Sequence, residues 1–336
     1  MKIINKRKIF FTLSGLVILT STLLWIAWGL NLGIDFTGGS LLEIEYINDR
    51  DDVDMVKAKL TDLNLEGLNI QATGEKGYIL RFKTIEEETH QNILDKLNSE
   101  LAVHEEKFEA DPEAKLELED IMEDADTSVS EEEIASLVED KVIERRFEAI
   151  GPAIGQELKS KSIWAIIIVL LAIVLYIAWA FRKVSYPVTS WKYGVVAILT
   201  LFHDILITLG IFILLGRFLG LEVNTPFVAA LLTILGYSVN DTIVVFDRIR
   251  ENLHKFEGEF EEIVNKSVNE TIIRSINTSL TTELVLLAIL FFGGTTIRDF
   301  VLVLVIGILL GTYSSIFIAS PLLVVWQKLD WRLKKS

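Results

Sequence analysis

Six stretches of this 336-residue chain are apolar over about 20 residues or more, and they restrict its fold more than any other feature. They are Ile9–Leu30, Ser162–Phe181, Tyr193–Gly216, Val223–Phe246, about Ser275–Ile297 and Phe300–Trp326. A helix rising 1.5 Å per residue needs about 20 residues to cross the hydrocarbon core of a bilayer. A backbone in lipid must satisfy its own polar groups, so stretches of this kind are expected to be membrane-spanning helices. The first follows Lys2, Lys6, Arg7 and Lys8, as a secretory signal would. It outruns a typical signal core, however, and Trp25-Ile-Ala-Trp28-Gly-Leu-Asn31 offers no small-residue cleavage site. It is expected to be retained.

Charge is divided as sharply as hydropathy. Residues 31–160 hold 13 Lys+Arg and 34 Asp+Glu, a net of −21, whereas the whole chain is −15. The acidity therefore belongs to one segment, and the remainder is mildly basic. Lys/Arg placement sets orientation. With the N-terminus in the cytoplasm, the inside segments carry Arg182, Lys183 and Lys192, then Arg248, Arg250, Lys255 and Lys266, and finally Lys328, Arg332, Lys334 and Lys335. The short outside loops carry only Arg217 and Arg298. All seven Trp residues (25, 28, 164, 179, 191, 326 and 331) fall at or just beyond expected helix ends, as an interfacial belt requires.

The segment 33–161 is then a single large domain outside the cytoplasm. Ser40–Ile47 alternates apolar and polar residues as a strand does. Asp51–Leu63 has helical spacing, with Val53, Val56, Leu60 and Leu63 on one face. Leu68–Ala72 and Tyr78–Phe82 form a hairpin about Thr73–Gly77, Ile85–Leu101 is a second helix, and Val142–Ile150 is a last strand. The order βαββαβ suggests a ferredoxin-like α+β sandwich. About residues 105–140 form an acidic insert with short helical runs at Leu116–Met122 and Glu131–Val138. It is read as a solvated excursion or as a surface for a basic partner. The expected domains are 1–32 (N-terminus and first span), 33–161 (outer domain), 162–326 (spans two to six) and 327–336 (cytoplasmic tail).

Ionisable residues inside apolar spans cost about 2.5–3.5 kcal/mol each on insertion scales, so they are candidates for function. They are Asp204 beside His203, Asp241 beside Asn240, Arg274 and Glu283. Asp241 and Arg274 lie at similar depth from the cytoplasmic side. Arg274, Thr278, Thr281 and Thr282 fall at helical spacing on one face, suited to a hydrated path or to a buried ion pair that only joins helices. Glu283 falls where a helix interface is possible. Gly307-Ile-Leu-Leu-Gly311 with Ser314 and Ser315 reads as a close helix contact. Pro226 suits the first turn of the fourth span, and Pro321 is placed to kink the sixth.

Other chemistry is excluded. Without cysteine there is no disulfide or thiolate zinc site, and His90, His104, His203 and His254 lack metal-ligand spacing. The glycines of 33–39 lack the lysine of a phosphate loop, and no nucleophile elbow or metalloprotease helix is present. No cofactor, nucleic-acid contact or enzyme activity is expected.

Several motifs, in order, resemble the SecD/SecF family of the resistance-nodulation-division superfamily, on its SecF side. They are Leu32-Gly-Ile-Asp-Phe-Thr-Gly-Gly39, Phe147-Glu-Ala-Ile-Gly-Pro-Ala-Ile-Gly-Gln-Glu-Leu158 and Leu235-Gly-Tyr-Ser-Val-Asn-Asp-Thr-Ile-Val-Val-Phe-Asp-Arg-Ile-Arg-Glu-Asn252. Asn269-Glu-Thr-Ile-Ile-Arg-Ser-Ile-Asn-Thr-Ser-Leu-Thr-Thr282, Gly311-Thr-Tyr-Ser-Ser315 and the His203-Asp204 pair complete the set. The acidic insert is the main departure. The resemblance implies six helices forming half of a twelve-helix bundle in the bacterial inner membrane. It implies a SecD-like partner and association with the SecYEG channel and SecA to help preproteins cross, at the expense of the proton motive force. It also implies proton passage at Asp241 and Arg274, to which the residue reading adds Asn240, His203, Asp204 and Thr278 as coupling candidates. Two alternatives stay open: a scaffold whose buried charges only pair helices, and a stand-alone exporter of the same superfamily.

Overall fold

The computed structural model describes residues 2–47, 49–98, 142–182 and 188–335. The acidic insert, with its two expected helical runs, lies outside them. Contacts divide the chain into two compact units, 1–36 with 157–336, and 37–156.

The smaller unit is a four-stranded antiparallel sheet with helices in its two crossovers. Strand β1 (Gly39–Tyr46) leads to the first of these, Val53–Lys59, whose N-cap Asp52 accepts from the Val53 amide. Strands β2 (Asn69–Thr73) and β3 (Gly77–Phe82) form the hairpin, with Thr73 opposite Gly77. The second crossover helix, Glu87–Asn98, precedes β4 (Val142–Ile150). It is shorter than the expected 85–101 within the described residues. The spatial order is β2-β3-β1-β4. Alternation along β1 and β3 sends Leu42, Ile44, Tyr46, Tyr78, Leu80 and Phe82 to one face, where Val56, Leu60, Ile93 and Leu97 cover them. Gly38 has φ of +74°, and a Cβ there would meet the Pro152 Cα at 2.9 Å. Only glycine fits this position on both counts.

The larger unit holds six helices long and apolar enough to cross a membrane. These are α1 (Arg7–Trp28, after a 3₁₀ turn at Ile4–Lys6), α2 (Pro152–Ala180), α3 (Ser190–Leu219), α4 (Thr225–Lys255), α5 (Phe260–Phe292) and α6 (Thr295–Ser314), which continues to Lys335. The start of α4 is well capped. The Asn224 side chain accepts from the Phe227 amide at 3.0 Å, and Asp35 accepts from the Thr225 amide at 2.6 Å. Pro226 lies in this first turn, where its missing N–H costs nothing.

The sixth span was expected as one helix with a kink at its end. Instead, Ser315–Ala319 widens into a π-helical turn between α6 and the terminal helix Ser320–Lys335. Pro321, two residues beyond it, brings no amide to the ladder. The Ser320 hydroxyl donates to the Ser315 carbonyl at 3.2 Å. Packing is closest where side chains vanish. A Cβ on Gly307 would overlap the Ile234 side chain, and one on Gly311 would lie 2.9 Å from Ser238 Cβ, so α6 lies directly on α4. By contrast α2 exposes Ile163, Trp164, Ile167, Ile168, Leu171 and Leu175, an apolar surface that suits lipid.

Candidate functional site

Asp204, mid-helix on α3, has no exposed surface. Its Oδ2 accepts from Ser238 Oγ of α4 at 2.6 Å and from Ser314 Oγ at the end of α6 at 2.7 Å. Its Oδ1 lies 2.8 Å from Nδ1 of the neighbouring His203. One carboxylate thus ties three helices. The His203 Nε2 is buried without a hydrogen-bond partner among the described residues, and the ring lies over Tyr313 with centroids 6.3 Å apart.

Asp241, about halfway along α4, is 8% exposed. Ser275 Oγ of α5 donates to its Oδ1 at 2.5 Å, and Ser315 Oγ donates to its Oδ2. The adjacent Ser314 and Ser315 therefore serve the two carboxylates separately, at the point where α6 opens into the π turn. Among the described residues no cation lies within ion-pair distance of Asp241.

Arg274 precedes Ser275 on α5, but its side chain is exposed. Thr278 and Thr281 are exposed on the same side, and their hydroxyls donate to the carbonyls of Arg274 and Thr278 at 2.9 and 2.8 Å. Thr282 likewise donates to the Thr278 carbonyl at 3.2 Å. Asn240 is exposed on α4. The helical spacing of Arg274, Thr278 and Thr281 is real, yet that stripe looks outward. The stripe facing the bundle is one residue further on: Ser275, Ser279 and Glu283, all buried. So Asp241 is brought together with Ser275 and Ser315, and not with Thr278. His203 is joined to Asp204.

Sequence reasoning missed Ser238 and Ser275, and it took Ser314 and Ser315 only as small residues at a helix contact. The available signal was the four-residue spacing of Ser275, Ser279 and Glu283 along an apolar helix. Among the described residues no three His, Asp or Glu side chains converge as a metal centre would need. The arrangement offers two hydroxyl-held carboxylates inside apolar helices, a setting suited to taking up and releasing a proton or small cation.

Residues 129–329 match the family described as protein export membrane protein SecD/SecF, C-terminal, and residues 29–46 match the SecD/SecF GG motif. The chain is 40% identical to the protein translocase subunit SecF of Thermobaculum terrenum, over 98% of this chain and 95% of that one. It is 35% identical to the SecF subunit of Anaerolinea thermophila, over 99% and 96%. A crystal structure of SecDF, a translocon-associated membrane protein from Thermus thermophilus, superposes with a TM-score of 0.75 at 32% identity. That match covers 97% of this chain and 38% of the SecDF chain. With 40% identity to a SecF subunit along almost its whole length, and the family's C-terminal region matched across its helices, the chain belongs to the SecD/SecF family of inner-membrane proteins and has a role in protein export.

Proposed function

We propose that the chain is the SecF-type half of a machine that uses the proton motive force to promote preprotein movement through the SecYEG channel after SecA has acted. Its SecD-like partner supplies the other half of the bundle. The observation that carries this reading is the setting of Asp241: a carboxylate inside the fourth span held by two serines, with Arg274 nearby but turned outward. Among the described residues no cation closes on the carboxylate, which supports a group that gains and loses a proton over one fixed in an ion pair. When Arg274 approaches, its charge favours release of the Asp241 proton, and its withdrawal favours uptake. No catalytic residue is involved.

The exposed Arg274 of α5 and Asn240 of α4 support a membrane-embedded partner, because such groups are costly against lipid. The SecDF relative, of which this chain spans 38%, is described as translocon-associated, and this supports the same assembly. The outer unit is read as ferredoxin-like from its strand order. The positive-inside pattern supports a position for this unit outside the cytoplasm, with both termini inside.

The test is preprotein translocation into inverted vesicles, with and without an uncoupler. Asp241→Asn keeps size and hydrogen bonding but cannot titrate. It should accumulate and assemble normally, yet show stimulation no greater than vesicles lacking the protein. Arg274→Met should behave alike. Full uncoupler-sensitive stimulation by Asp241→Asn would leave Asp241 a structural group.

A further inference from the structure

Glu283 lies two helical turns beyond Ser275 on α5, roughly 12 Å along the axis. It is 4% exposed, and among the described residues neither carboxyl oxygen has a protein hydrogen-bond partner. It lines a groove of about 440 Å³ between α5 and α6, otherwise walled by residues such as Ile276, Leu280, Leu287, Leu309 and Phe317. The groove's polar groups are few. Ser279 and Thr312 share a hydroxyl–hydroxyl bond, and Tyr237 of α4 donates to Ser279 at 3.3 Å. Tyr313 of α6 is the other titratable side chain lining it, and among the described residues no charged group of α4 or α6 does so.

A buried carboxyl without a protein partner must carry a proton, or meet water or a cation, because an unbalanced charge in such surroundings is far too costly. The hydroxyls give that proton a direction. Ser279 stands one turn from Glu283 and one turn from Ser275, and Thr312 stands three residues before Ser315. Ser275 and Ser315 are the two donors to Asp241. From this geometry we infer that Glu283 is a second proton-carrying carboxyl, loaded from the α5–α6 groove and joined to Asp241 by the Ser279–Thr312 step. The inference rests on the proton-coupled reading of Asp241. A proton leaves the Glu283 carboxyl, passes through hydroxyls and bridging water, and arrives on Asp241. The Glu283 carboxylate left behind takes its next proton from water entering the groove.

The test uses the full chain in vesicles with its SecD-like partner. Dicyclohexylcarbodiimide, which attacks protonated carboxyls in apolar sites, should modify the Glu283 peptide, as read by mass spectrometry. Labelling should fall about tenfold per pH unit above the titration point and vanish in Glu283→Gln. In proton-uptake assays, Glu283→Gln and Ser279→Ala should both slow uptake, and Glu283→Gln should flatten its pH profile. Absence of labelling at every pH would overturn the inference, even if Glu283→Gln failed to accumulate. So would unchanged uptake in both variants alongside loss in Asp241→Asn. Export retained by Asp241→Asn would instead overturn the reading beneath it, a result that labelling at Glu283 cannot mimic.

Discussion

A single methyl group at Gly311 tests whether the contact between α4 and α6 holds the site in shape. In Gly311→Ala the new Cβ would meet Ser238 Cβ at 2.9 Å, with Ser238 Cα and Oγ each at 3.2 Å. The closest neighbours include backbone, so no flexible side-chain tip can swing aside, and the two helices must part by a few tenths of an ångström. That separation pulls on the bonds from Ser238 and Ser314 to Asp204, now 2.6 and 2.7 Å. Overpacking of this kind costs about 1–3 kcal/mol. Alanine in place of a mid-helix glycine returns about 1 kcal/mol through its better helix propensity. Gly15 on α1 is the matched control, since a Cβ there meets nothing within 4 Å, and Gly15→Ala should show only the gain. The two variants should therefore differ by about 1–3 kcal/mol, a factor of ten in folded-to-unfolded ratio for each 1.4 kcal/mol. Unfolding in mixed detergent micelles, driven by dodecyl sulfate and followed by tryptophan fluorescence, measures the difference. Equal stability of Gly311→Ala and Gly15→Ala would refute the close contact and the account of how Ser238 and Ser314 reach Asp204.

Two further outcomes bear on the remaining proposals. The chain has no cysteine, so a lone Cys at Ser128 should react with an impermeant maleimide added outside, and one at Ser336 only after the membrane is breached; the reverse pattern would invert the proposed orientation. Deleting about residues 105–140 across a short Gly/Ser bridge should leave accumulation intact, because β1 to β4 lie outside the deletion and loop length changes closure entropy only slowly; loss of stable protein would place the insert in the core.

The six spans were legible in the sequence because bilayer thickness dictates how many apolar residues a helix needs, whatever its neighbours. The hairpin at Thr73–Gly77 and the strand at Val142–Ile150 were legible because their signals are local. Asp204, Asp241, Arg274 and Glu283 stood out because a charge within an apolar run is costly enough to be conspicuous. What those charges touch was not legible. Thr278 and Ser275 occupy neighbouring stripes of one helix, and a rotation of roughly 60° decides which of them meets Asp241. Helix rotation is set by packing, here by α5 turning its buried Ser275 and Ser279 toward Asp241 of α4 and Thr312 of α6. The π turn after Ser314 then lets consecutive serines reach two different carboxylates. The cost of placing a charge in lipid is a property of the residue and can be read from the chain. The hydroxyl that receives it is a property of three helices together, and only the tertiary structure decides that.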